Sequence, residues 1–284
     1  MKKIMTIISI VLSLSLVGCA NKETVDKDKK PIIAVSIVPE ATFVEAVVMD
    51  KAEVITMIPP GFSPENHEPT AELMVQLEEA TVYFAIGVPA EISNILPYVD
   101  EEKTVLLHEY VANVYPDRTF AEEDRDPHIW LSPKRVKIMI DRIALKMGEL
   151  DPDNKDFYLA NASAYIEKLD ALDLVIKKSV DELINKKFIA YHPSFGYLAD
   201  DYGLTMYALE EEGKEATARH LQDMIDLAKA EGIKAIFYQK EIDSSQSEAF
   251  AEELGGVTIQ LEPLAADYID NLKLMVDTLA EALK

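Results

Sequence analysis

One cysteine among 284 residues, Cys19, leaves the chain without the pair that a disulfide within it would need. Only 10 glycines are present, and none falls in a phosphate-cradling Gly-rich pattern, so nucleotide binding has little to rest on. There is no His-Glu-x-x-His helix and no Gly-x-Ser-x-Gly elbow, which removes the common hydrolase signatures. Basic residues are scarce, 28 Lys and Arg against 51 Asp and Glu, for a formal charge of −23. Nucleic acid requires basic surface and is excluded as a partner. The acidic excess is what a solvated surface carries; it suits a cationic ligand too, although salt screens such a field within about 8–10 Å. Long apolar runs are also lacking. The one candidate, Ile4–Val17, falls short of the ~20 residues of a membrane span.

That run follows Met1-Lys2-Lys3 and ends in Leu16-Val17-Gly18-Cys19. Two positive charges, a short apolar core and a small-residue exit read as a signal peptide over residues 1–18. Its end resembles a bacterial lipobox, in which the cysteine is lipidated and becomes the new N-terminus. Cys19 is therefore expected to anchor the chain to the outer face of a membrane, or in a periplasm. Residues 19–31 are polar, charged and aperiodic, as a flexible tether should be.

The remainder reads as an α/β protein. Short β-branched runs at Ile32–Ile37, Val54–Ile58, Val82–Ile86 and Val105–Leu107 alternate with helical patterns, such as the one that Thr70 caps. A second set follows at Phe188–Tyr191, Thr205–Leu209, Ala235–Tyr238 and Val257–Leu261. Strand and helix at this spacing predict two parallel-sheet α/β lobes, at residues 32–150 and 187–284. Between them, from Asn154 to Asn185, there is no Pro or Gly, and apolar residues from Phe157 to Ile184 recur at helical spacing. Asp151-Pro152-Asp153 supplies a helix start. One long rigid helix over 151–186 is expected to join the lobes, in place of a flexible hinge.

Three of the five histidines lie in unusual company. His128 sits between Pro127 and Pro133, on a loop held out of a helix until the second proline starts one. His192 follows an apolar strand, at the end where open α/β sheets bind ligands. His67 lies in a proline-stiffened loop after a strand. Three imidazoles with a carboxylate suit a tetrahedral zinc site, but their wide spacing is no short-range code. Single loop histidines are more often plain hydrogen-bonding side chains. His108 and His220 read as ordinary strand-end and surface residues.

Four segments bring these residues into a known pattern: Met57–Pro64 with Glu68-Pro69-Thr70, Asp126–Pro133, Phe188–Tyr197 with Tyr202-Gly203-Leu204, and Leu261-Glu262-Pro263-Leu264. In this order the chain resembles the metal-binding substrate-binding lipoproteins of bacterial ABC importers for zinc and manganese. The resemblance implies two lobes joined by one rigid helix, with an ion between them. It implies that a monomer captures zinc (Zn2+), with manganese (Mn2+) as the second candidate, and passes it to an ABC permease and its ATPase, without catalysis. Metal-dependent hydrolysis or surface adhesion are the rival readings. By position, the resemblance makes His128, His192 and Glu262 ligands. The first ligand departs from the pattern: Glu65 stands where a histidine is common, and His67 lies two residues on. Residues i and i+2 of an extended segment share a side, so His67 is the favoured first ligand and Glu65 the alternative. The stretch before His128, with Glu122, Glu123 and Asp124, lacks the histidines that zinc members often carry there.

Overall fold

A computed structural model describes residues 30–120, 124–210, 216–242 and 245–284. The signal peptide, Cys19, the tether up to residue 29, Glu122 and Glu123 lie outside them. Among the described residues no helix is long and apolar enough to cross a membrane.

The first sheet holds β1 (Ile32–Val35), β2 (Glu53–Thr56), β3 (Val82–Ala85) and β4 (Thr104–Leu106) in the order β2-β1-β3-β4, all parallel. Helices α1 (Val38–Val48), α2 (Ala71–Glu78), α3 (Pro89–Asn94) and α4 (Leu107–Ala112) follow the four strands in turn. After α5 (Pro133–Leu150) and α6 (Lys155–Asp181) the plan repeats. The second sheet has β5 (Lys187–Ala190), β6 (Thr205–Ala208), β7 (Ala235–Gln239) and β8 (Val257–Leu261) in the order β6-β5-β7-β8, again parallel. Helices α7 (Gly196–Tyr202), α8 (Ala218–Glu231), α9 (Ser245–Leu254) and α10 (Tyr268–Ala282) accompany it. Both sheets reverse their strand order beside the first strand, and crevices open at such switch points beyond the strands' carboxyl ends. Strands β1 and β3 are buried throughout, which is why they read as continuous apolar runs instead of alternating ones.

The long helix is present, unbroken, over 27 residues, which spans ~40 Å. A 3-10 turn over Pro152–Asn154 precedes it, where the Asp151 carboxylate accepts hydrogen bonds from Asn154 and Tyr158. Its buried residues Tyr158, Ala162, Leu169, Leu172, Ile176 and Val180 form one stripe, packed on α1, α5 and α10. Leu159, Val175 and Ile184, which fit the same periodicity in sequence, are exposed.

The helix is not the sole link. Trp130, in the 3-10 turn Ile129–Leu131 before α5, is fully buried and donates from Nε1 to the Pro263 carbonyl at 3.0 Å, while the Tyr268 hydroxyl donates to the Trp130 carbonyl at 2.7 Å. Phe43 of α1 meets Tyr268 of α10 edge to face, with centroids 4.8 Å apart. A continuous apolar core thus runs from β1 to the C-terminal helix. Truncating an aromatic in such a core costs roughly 3–5 kcal/mol, so the two halves resist separation.

Candidate metal centre

Three loops converge at the carboxyl ends of the strands. The loop after β2 carries Glu65, the segment before α5 carries His128, and the residues after β5 carry His192. Ser132 caps α5 by accepting from the Arg135 N–H, with Pro133 as first helical residue. A 3-10 turn over Ile129–Leu131 precedes it, with His128 presented at the head of that turn. His128 and His192 are buried, and their Nε2 atoms lie 3.2 Å apart. Glu65 Oε1 stands 3.4 Å from His192 Nε2 and 4.0 Å from His128 Nε2. Among the described residues these three form the group whose donor atoms could share an ion. Donors bound at 2.0–2.1 Å to a tetrahedral ion lie ~3.3 Å apart. The observed triangle fits that spacing with little adjustment.

Each imidazole is held from behind. His128 Nδ1 meets Asp126 Oδ1 at 2.8 Å, and His192 Nδ1 meets Glu210 Oε2 at 2.7 Å. A carboxylate on Nδ1 fixes the tautomer that turns the Nε2 lone pair toward a metal and raises ligand basicity. Asp126 is fully buried; burial opposes its charge, but hydrogen bonds from His128 and the Arg118 guanidinium at 3.1 Å hold its carboxyl below the ordinary range. Glu65 likewise stays below its ordinary range, because hydrogen bonding and charge from His192, with the charge of His128, outweigh burial. In the absence of an ion the His192 imidazole is raised to about 9: burial opposes its charge, and hydrogen bonds to Glu210 and Glu65 overcome it.

Arg125 fastens the His128 loop to the first sheet by donating from Nη2 to the carbonyls of Ile86 and Gly87, both at 2.7 Å. The approach needs glycine, since a Cβ on Gly87 would stand 2.3 Å from Arg125 Nη2, and Gly87 has φ +78°. Gly87→Ala is therefore expected to displace Arg125 and cost more than about 1 kcal/mol, read as a lower thermal midpoint of the ion-free protein. An unchanged midpoint would show that the Arg125 contact is dispensable.

His67 does not join the group. Residues 64–66 form a turn, so the same-side relation of i and i+2 in an extended segment does not apply. The His67 ring is instead buried against Phe62, with centroids 4.6 Å apart, and its carbonyl accepts from Asn94 Nδ2 at 2.9 Å. Burial lowers the pKa of this imidazole. Glu262 also stands apart: it follows the edge strand β8, is 43% exposed and pairs with Lys240 Nζ at 3.1 Å. Two cavities flank the triangle. One, of about 290 Å³, is lined by all three residues together with Phe120, Asp124 and Arg125. The other is lined by Glu65, His192, Glu210 and Glu241, and one oxygen of Glu241 is buried without a protein partner.

Asp126 and Glu210 went unassigned from sequence. Asp126 was findable, two residues before His128. Glu210 required the pairing of β5 with β6: Ala190 aligns with Ala208, and the same offset brings Glu210 alongside His192. The two ordinary histidines differ slightly from expectation. His108 lies in the first turn of α4, and the His220 ring meets the Ala208 carbonyl at 3.1 Å.

The family described as zinc-uptake complex component A, periplasmic (ZnuA), matches residues 33–282. The zinc-binding lipoprotein AdcA of Streptococcus pneumoniae serotype 4 is 29% identical over 93% of this chain, which spans only 56% of that protein. The high-affinity zinc uptake system protein ZnuA of Bacillus subtilis is 27% identical, covering 95% of this chain and 94% of its own length. A crystal structure of ZnuA superposes with a TM-score of 0.83 at 34% identity, over 90% of this chain and all of the other.

Proposed function

We propose, from the premise that this chain belongs to the ZnuA family of periplasmic zinc-uptake components, that it is the extracytoplasmic solute-binding subunit of an ABC importer. It captures a divalent ion, zinc in the first place and manganese in the second, and hands it to a membrane permease served by an ATPase. The observation that carries the reading is the triangle of Glu65 Oε1, His128 Nε2 and His192 Nε2, with edges of 3.2, 3.4 and 4.0 Å. Two imidazoles and a carboxylate make a donor set that zinc accepts readily and that manganese tolerates through its oxygen.

In this reading Glu65, His128 and His192 are ligands, with Asp126 and Glu210 orienting the two rings. The fourth donor comes from the second lobe: Glu262 after release from Lys240, as the family resemblance has it. The lobes extend over 32–150 and 187–284. Lipidation of Cys19 tethers a monomer beside its permease, and the protein carries its ion without transforming it.

Calorimetry on a soluble chain starting at residue 31, with zinc and manganese, tests the reading. One ion per chain is expected, bound more tightly for zinc. Glu65→Gln should weaken zinc at least ~10-fold, the scale on which even an outer-shell partner matters, while His67→Ala should change affinity less than about threefold. The opposite ranking would restore His67 as first ligand.

A further inference from the structure

Glu65 sits on a loop, and metal sites need their ligands held to within about 0.5 Å. The backbone around it is tied to a single short helix on both sides. On one side the Ala90 N–H donates to the Pro64 carbonyl at 2.9 Å; on the other, Asn94 Nδ2 donates to the His67 carbonyl at 2.9 Å. Ala90 and Asn94 are four residues apart in α3 and so lie on one face of the helix. The helix is itself pinned to the sheet's switch point. Glu91, fully buried, accepts hydrogen bonds from the N–H groups of Gly87 and Val88, from the Tyr83 hydroxyl at 2.7 Å, and from Ser36. Tyr83 belongs to β3 and Ser36 follows β1, so the position of α3 is set by the two central strands.

We infer that α3 is a clamp that sets the reach of Glu65 into the metal centre, with Asn94 as its positioning residue and the carbonyl of His67, not the imidazole, as the group it grips. This rests on Glu65 being a ligand, as proposed above. The clamp accounts for why the loop turns at residues 64–66 instead of running extended: both ends of the turn are fixed to points one helical turn apart. Asn94 touches no donor atom of the triangle. Its effect on the ion must therefore pass through Glu65, and that makes it separable from a general effect on stability.

The test is a double-mutant cycle read by competition of zinc with a chelating dye, using Asn94→Ala, Glu65→Gln and the two combined, with the ion-free thermal midpoint of each. Asn94→Ala should weaken zinc about 10-fold or more, the magnitude typical of groups that orient a ligand. It should add nothing in the Glu65→Gln background. Asn94→Asp, which keeps the volume but loses the donor, should reproduce the loss and guards against a cavity effect. Equal losses from Asn94→Ala in both backgrounds, or wild-type affinity in Asn94→Ala, would overturn the clamp while leaving the ligand assignment intact. Wild-type affinity in Glu65→Gln would instead remove Glu65 as a ligand and the clamp with it.

Discussion

A chain carrying His128→Ala and His192→Ala together is expected to take up no zinc in a calorimetric titration, a loss of at least ~10³-fold. Changing an outer-shell partner of a metal-bound histidine already costs 10–100-fold, and this variant removes two of three converging donors. Glu65, 27% exposed in its side chain, then remains with Glu262 as the proposed donors, carboxylates no better than many others on a chain of charge −23. The double substitution also leaves Asp126 and Glu210 without their imidazole partners, so some loss of stability accompanies it. Glu210→Gln separates the two effects. It keeps the volume, leaves both histidines in place and should lower zinc affinity 10–100-fold. Stoichiometric binding by the double variant at unchanged affinity would place the ion somewhere other than this triangle.

Zinc affinity is expected to fall ~100-fold between pH 8 and pH 6, because about one proton must leave for each ion that binds. His192 is raised to about 9 in the ion-free protein, chiefly because hydrogen bonds to Glu210 and Glu65 overcome its burial. Below that pH its Nε2 holds a proton where the metal needs a lone pair. Each unit of pH then costs tenfold in affinity, as one displaced proton requires. Glu65 is held below its ordinary range and is ionised throughout this window. The folded pKa of His192 lies above the unfolded value of ~6.5, so the stabilisation from its protonated form is full below ~6.5 and is lost as pH rises through about 9. The ion-free protein should thus lose thermal stability toward pH 9, and the zinc-loaded protein should not. Titration in two buffers of different ionisation enthalpy counts the protons. A count of zero at pH 7, with affinity flat from 8 to 6, would mean that His192 is already neutral when the ion arrives.

Much of the architecture was legible in the residues. All eight apolar runs became strands; the central β1 and β3 are buried throughout and so apolar throughout, whereas β2, β6 and β8 at the sheet edges are partly exposed and were legible through their β-branched residues. The absence of Pro and Gly after Asn154, with apolar residues at helical period, yielded the long helix α6. The expected span, residues 151–186, exceeds it by nine: Asp151 and the 3-10 turn Pro152–Asn154 precede the α-helix, and residues 182–186 follow its end with the composition of a helix but without its conformation. The exposed Leu159, Val175 and Ile184 show the same limit from another side. Periodicity marks every residue able to face a core, whereas the neighbours α1, α5 and α10 decide which ones do.

The site divides along the same line. The sequence by itself determined His128 and His192 as candidates, because proline placement and strand ends are local features that fix how a side chain is presented. It also placed Asp126 within reach of His128, two residues away. Only the tertiary structure placed Glu65, and not His67, beside the two imidazoles, since the turn at 64–66 is held by Ala90 and Asn94 from a helix more than twenty residues on. It alone paired Glu210 with His192, through the register of β5 on β6, and it alone set Glu262 beside Lys240 at the sheet's edge. Local chemistry decides which groups are offered. Hydrogen bonds between residues distant in sequence decide where they meet, and no pattern along the chain records that.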